Sequence, residues 1–445
     1  MNCCESNGLT GRVITPENPI YQEARQVYNR AVQKFPSAIV YCQNIADVCH
    51  AVLWAKKHHI CLRIRGGGHN YEGYSTGNEV LDIDLSDMKE IRINEDAHTV
   101  TLQSGVNNKD IYEAVSVYGY PFPGGTCSTV GVCGYTLGGG WGLSCRYLGL
   151  GCDSLIEVEV VDAKGCVITA SLTDNKDLFW ACRGGGGGNF GVVVSMTYRL
   201  PKKVDKVTYI DIRYPNADQD TQSWFLLSWQ EWLMNADKRI TMVSRIYNSE
   251  AEGTGIAAYG IFYGPPEAAL GILSPLLSLG GVKYRFKHLT FLEAMTRIGC
   301  LYPPYKTFLS ASRFVQRDFT DDECDHLASL IQKRPCGPIY TSLSFYALGG
   351  MVSQVSKDDT AFFYRKAHSI TWLESVLKES RCSSASWFNS SFHYLEEITR
   401  GSYVNFPYSN LPCYLSEYYG EHVCRLKAIK EQYDPTHLFT FAQGI

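Results

Sequence analysis

One histidine and one cysteine stand in loops suited to close contact with a ligand. His69 lies in Arg65-Gly66-Gly67-Gly68-His69-Asn70-Tyr71-Glu72-Gly73, and Cys127 in Gly124-Gly125-Thr126-Cys127-Ser128-Thr129-Val130-Gly131. Glycine lacks a Cβ and accepts positive φ, so such loops bring bare amide N–H groups up to a bulky anionic group. Two further glycine clusters follow, Thr136-Leu137-Gly138-Gly139-Gly140-Trp141-Gly142 and Arg183 to Gly191. A lone histidine is more often structural, and a lone cysteine is more often a buried thiol. Set among these glycines, the pair points instead to a large cofactor gripped by loops and open to bonding with them.

Elements must hold those loops in place. Ile45, Val48, Val52 and Leu53 recur at helical spacing before Lys56-Lys57-His58-His59, a basic helix end. Leu62 and Ile64 alternate with Arg63 and Arg65, a strand that runs into the first glycine loop. Residues 80–85, 100–103, 156–161 and 192–200 read as strands, and Asn107 or Asn108 caps a helix through Val117. After Pro201-Lys202-Lys203 the glycine loops cease. Strands are expected there at 207–213, 241–247, 255–263 and 340–347, with helices at 224–234 and 361–377. A last helix is expected over 415–433, stopped by Asp434-Pro435.

The chain's 445 residues exceed what one core usually serves, so two domains are expected. The division is residues 1–203, then 204–402 with an antiparallel sheet, then 403–445 returning to the first domain. A net charge of −4 argues against a nucleic-acid or anionic-membrane surface. No run of eighteen apolar residues suggests a span. Met1-Asn2-Cys3-Cys4-Glu5-Ser6 has neither a basic nor an apolar signal region, so a cytoplasmic location is expected. The 17 cysteines include no Cys-x-x-Cys pair; reduced, mostly buried thiols are expected, and no metal site. The Walker A pattern is absent, as is the strict dinucleotide fingerprint, although glycine loops can cradle a pyrophosphate by other geometries.

Taken together, the motifs resemble those of the berberine bridge enzyme-like oxidases. Arg63-Ile64-Arg65-Gly66-Gly67-Gly68-His69 and Cys127-Ser128-Thr129-Val130-Gly131 are similar to that family's paired flavin-attachment motifs. Leu178 to Gly191 resembles its third glycine motif, and Tyr403-Val404-Asn405-Phe406, Tyr418-Tyr419-Gly420 and Tyr433-Asp434-Pro435 its C-terminal signature. The resemblance implies an α+β, two-domain fold of the vanillyl-alcohol-oxidase type. It implies FAD joined to His69 at the 8α-methyl carbon and to Cys127 at C6. It also implies cofactor contacts from Arg65, Gly66, Gly67, Gly68, Asn70, Gly125, Thr129, Val130, Gly131, Tyr135, Gly138, Gly139, Gly142, Gly188, Asn189, Gly191, Val192 and Asn405. The activity implied is hydride removal from an alcohol, a sugar hydroxyl or an alkaloid-like small molecule, with dioxygen as electron acceptor and hydrogen peroxide as product.

Val130 goes with oxygen access in such proteins, where isoleucine goes with dehydrogenase behaviour. The alternatives are a dehydrogenase with another acceptor and a flavin-binding protein without turnover. The chain departs from the family at Tyr135, where histidine is common, and at Phe406, where tyrosine often accepts the proton. Phenylalanine cannot act as a base. Tyr403 is the first choice in its place, with Tyr71 lining the substrate side; His393, Glu396 and Glu397 are further candidates. Trp387, Phe388 and Tyr394 could stack a ring or serve as core. Nothing in the sequence sets the oligomeric state.

Overall fold

The computed structural model describes residues 8–378 and 385–445, so the segment Met1 to Ser6 lies outside the described residues. Strands β1 (Arg12–Ile14), β2 (Ala38–Tyr41), β3 (Leu62–Arg65) and β4 (Leu81–Asp84) form a sheet in the order β1-β2-β4-β3. Both β2 and β3 run parallel to β4. Between β2 and β3 runs the helix Ile45–Lys57, whose Asn44 cap accepts a hydrogen bond from the Asp47 amide.

A second sheet, in the order β5-β6-β9-β7-β8, contains β5 (Ile91–Asn94), β6 (Thr99–Gln103), β7 (Leu155–Val161), β8 (Val167–Ser171) and β9 (Val192–Arg199). The third is fully antiparallel, in the order β13-β10-β12-β11-β15-β16-β14. Its strands are β10 (Val207–Pro215), β11 (Ile240–Ser249), β12 (Gly253–Phe262), β13 (Lys283–Leu289), β14 (Phe308–Val315), β15 (Pro338–Ala347) and β16 (Ser369–Leu377). The helices Gln219–Asn235 and Asp321–Gln332 pack together on this sheet. Among the described residues no helix is long and apolar enough to cross a membrane.

Two sequence expectations fail. Residues 361–377 are not helical: 369–377 form the strand β16, between β15 and β14. Every residue of that strand is buried, so neither face carries the polar alternation that would mark it. Ile370, Thr371, Trp372 and Val376 favour a strand there. The span 415–433 is two helices, Tyr414–Tyr419 and Val423–Tyr433, parted at Gly420, whose φ of +54° suits glycine.

The chain end returns to the glycine loops through a buried cation. Lys430 Nζ donates to the carbonyls of Asn189 and Phe439, each at 2.6 Å, and to Asp434 Oδ2 at 2.8 Å. Arg63 Nη1 adds a bond to the Thr440 carbonyl at 2.6 Å.

Candidate functional site

The two nucleophile-bearing loops cross back to back at Gly67 and Gly131. A Cβ on Gly131 would lie 2.6 Å from the Gly67 nitrogen, so only glycine permits the approach. The helix Asn108–Ser116 holds the cysteine loop by its first turn. Its Asn108 and Lys109 amides donate to the carbonyls of Val130 and Ser128, each at 3.0 Å. Asn108 Nδ2 donates to the Cys127 carbonyl at 2.9 Å, and the Gly125 amide donates to Asn108 Oδ1 at 3.1 Å. Thr129 Oγ1 then stands between the nucleophiles, 2.8 Å from His69 Nε2 and 3.5 Å from Cys127 Sγ.

The His69 ring stacks on Tyr28 at 4.2 Å between centroids. Burial pushes its pKa down from 6.5 to about 3, so the imidazole is neutral.

A long cavity runs from these loops to the chain end. Its wall includes Gly66, Gly67, Gly68, His69, Asn70, Tyr71, Gly125, Cys127, Val130, Gly131, Tyr135, Gly188, Asn189, Gly191, Tyr403 and Asn405. Gly138, Gly139, Gly142 and Val192 are not part of that wall, and Arg65 lines a neighbouring cavity beside His69 and Thr129. Arg65 forms a buried pair with Asp84 and donates to the Ala24 carbonyl at 2.8 Å, so it braces β3 and β4. A Cβ on Gly134 would meet nothing within 4 Å, and Gly186 to Gly188 likewise offer backbone to the cavity. Bare backbone along so long a wall fits a flat, extended cofactor with an anionic middle.

The opposite wall is made of side chains. Tyr71 stacks on Phe406 and Trp372 at 5.6 and 5.7 Å and meets Phe308 edge-on at 5.1 Å. Buried Asn29 ties this cluster together, donating to the carbonyls of Tyr71 at 2.8 Å and Phe308 at 3.1 Å. Next to it lies Glu374 on β16, fully buried, with Oε1 accepting from Lys306 Nζ at 2.6 Å and Oε2 without a partner. Arg245, Tyr302 and Tyr346 continue this wall.

The sequence candidates for proton transfer fall into distinct places. The Tyr403 hydroxyl oxygen accepts from the amides of Gly140 at 3.1 Å and Trp141 at 3.2 Å, and from Asn405 Nδ2 at 3.0 Å. It fastens the C-terminal signature to the second glycine cluster, and burial pushes its pKa up to about 12. Burial raises the Tyr71 phenol well above its ordinary value. Tyr135 donates to the Pro123 carbonyl at 3.0 Å. His393 lies on the exposed face of the helix Ala385–Ile398, 3.7 Å from Glu396 and 3.6 Å from Glu397, away from the cavity. Phe388 packs on Tyr408 and Tyr394 on His326, and Trp387 also lies off the wall, so none of the three offers a stacking platform there. Lys306, Glu374 and Arg245 were not anticipated. The signal available was one acid inside the apolar run Ile370-Thr371-Trp372-Leu373-Glu374-Ser375-Val376.

A family model described as an FAD binding domain matches residues 36–171, and one described as berberine and berberine like matches residues 402–445. The chain is 35% identical to an uncharacterized FAD-linked oxidoreductase, YgaK, of Bacillus subtilis, over 99% of this chain and 98% of the relative. It is 28% identical to a chitooligosaccharide oxidase of Gibberella zeae, over 96% of this chain and 90% of the relative. Among solved structures, Physcomitrella patens BBE-like 1 superposes with a TM-score of 0.88 at 27% identity, covering 99% of this chain and 98% of that one.

Proposed function

Because the chain belongs to the berberine-bridge-like family of FAD-linked oxidoreductases, we propose that it is an oxidase with a doubly tethered flavin that converts a carbinol to a carbonyl. The observation that carries this reading is the His69–Thr129–Cys127 cluster on one wall, facing a carboxylate with a free oxygen on the other. His69 and Cys127 would hold the ring, and the glycine backbone the pyrophosphate. Bound there, FAD supplies an acceptor for a hydride from carbon and a donor of two electrons to dioxygen.

The remaining work belongs to the chain. Glu374 takes the hydroxyl proton of the carbinol on its unpartnered Oε2. Lys306, bonded to Oε1, fixes the orientation of that carboxylate. We assign this role to Glu374 in place of Tyr403, whose oxygen already accepts three hydrogen bonds. The rings of Tyr71, Trp372 and Phe406 keep water from the reacting carbon and set a planar slot for the substrate. Val130, on the cavity wall, leaves more room for dioxygen than isoleucine would.

The test is acid denaturation of the purified holoenzyme. The yellow chromophore is expected to stay with the polypeptide in the wild type, His69→Ala and Cys127→Ala. It is expected to leave only in the double variant, and alcohols or sugars should release peroxide from the wild type in air. FAD freed from the wild-type chain by acid would overturn the double tether. Reduction by substrate without oxygen uptake would overturn the oxidase.

A further inference from the structure

The substrate wall holds a positive charge that the protein does not neutralise. Five arginines, Arg25, Arg65, Arg146, Arg313 and Arg365, are buried, and each meets strong acceptors. Arg65 faces Asp84, Arg313 faces Glu417, and Arg365 forms a two-pronged pair with Asp153 at 2.8 Å on both arms. Arg146 donates to the carbonyls of Ile240, Ala236 and Leu348. Arg245 differs. Its Nη2 reaches only the Tyr259 hydroxyl at 3.1 Å, its Nε is buried without a partner, and no carboxylate lies within ion-pair distance among the described residues. The nearby Arg213 has its own partner in Asp211 at 2.7 Å.

The guanidinium is nonetheless held firmly. Thr126 Oγ1 donates to the Tyr302 hydroxyl at 2.8 Å, and Tyr302 lies 2.6 Å from the hydroxyl of Tyr259, which accepts from Arg245. This chain of hydroxyls ties Arg245 to the residue beside Cys127, so the cation keeps a fixed place relative to the attachment loop. Neutral phenols orient the charge without cancelling it.

Sheet register gives the spacing to the proposed base. Arg245 pairs with Ser344, and Ser344 with Trp372, so these three point to one face. Glu374 pairs with Ser342, two residues from Ser344, and so shares that face. Arg245 and Glu374 are therefore two strands and two residues apart, roughly 12 Å between backbones. Trp372 and Tyr71 lie on the same wall. That is the span of one ring bearing a carbinol at one end and an anion at the other.

We infer that the substrate is a ring-containing hydroxy acid whose carboxylate pairs with Arg245 while its carbinol meets Glu374. A carboxylate accepts two N–H groups of a guanidinium side by side, and the pair strengthens in a site shielded from water. The inference rests on the carbinol oxidation proposed above. Both sugar acids and aromatic acids carry this chemistry, and the test separates them.

Calorimetric titration of the holoenzyme would compare D-glucuronate with D-glucuronamide, and 4-(hydroxymethyl)benzoate with 4-(hydroxymethyl)benzamide. At least one acid is expected to bind about tenfold or more tightly than its amide. Which acid it is identifies the ring. The preference should fall below about threefold in Arg245→Gln and survive in part in Arg245→Lys, which keeps the charge but loses the fork. Equal binding of acid and amide, an acid preference intact in Arg245→Gln, or no binding of either pair overturns the inference. The acid-denaturation result is independent of all these outcomes, so a retained chromophore beside a failed charge preference would leave the cofactor reading standing.

Discussion

On the wall that carries His69 and Cys127 the chain shows mainly backbone to the cavity; on the wall that carries Arg245, Lys306 and Glu374 it shows side chains. The first wall is made of consecutive residues, because a glycine loop acts through successive amides. The second is assembled from β11, β14, β15, β16 and the approach to β14, one residue in two along each strand. The backbone wall suits a cofactor, which is gripped by its common anionic middle, whereas the side-chain wall presents the groups that would meet the proposed substrate. The largest break in this comparison should come from Glu374→Gln. Loss of the base is expected to lower kcat by about a hundredfold or more while leaving the bound-flavin spectrum and its acid-stable attachment unchanged. An unchanged kcat would return the proton to another group.

The backbone wall should break through stability instead. Lys430→Met removes the buried ammonium that joins Asn189, Asp434 and Phe439. Asp434 keeps the amides of Leu438 and Phe439, each at 2.9 Å, but loses its countercharge. A loss of about 3 kcal/mol in urea unfolding is expected. Turnover per folded, flavin-loaded molecule should hardly change. Gly131→Ala should cost about 2 kcal/mol, because its Cβ would press on the Gly67 backbone. Here the fraction of chain carrying acid-stable flavin should fall too, since the crossing sets the gap between His69 and Cys127.

The same contrast explains what could be read from the residues alone. The loops around His69 and Cys127, the strand Leu62–Arg65 and the helix after Asn107 were legible, because their signals are local: glycines, a cap, a short alternation. The substrate wall was not. β16 is buried on both faces and reads as an apolar run of either helix or strand, and assigning it to a helix hid Trp372 and Glu374. Arg245 reads as an ordinary charge in its strand; only the pairing of β11 with β15 brings it into line with Trp372. Tyr403 was singled out for its phenol, yet its surroundings, two backbone amides and Asn405, could only be seen once the glycine cluster was folded against it.

A smaller effect sharpens the division of labour on the side-chain wall. Phe406→Tyr places a hydroxyl within the cluster of Tyr71, Trp372 and Tyr346. If Glu374 takes the proton, kcat should change by less than about threefold. A large gain would mean that Phe406 marks a base the chain has lost.

The weakest response is expected from pH at His69, and its flatness is informative. Burial lowers the folded-state pKa from 6.5 to about 3. A histidine depressed in this way adds stability above the unfolded pKa of 6.5 and loses it as pH falls from there toward 3. Within the folded chain the ring is neutral throughout the range of ordinary buffers. In the Cys127→Ala variant, where only His69 can attach, the rate of flavin incorporation into folded apoprotein should therefore stay level from about pH 5 to 8. A fall centred near the ordinary histidine value would mean that water reaches the imidazole before the cofactor does. The backbone wall would then be closing around the flavin during attachment, not standing ready for it.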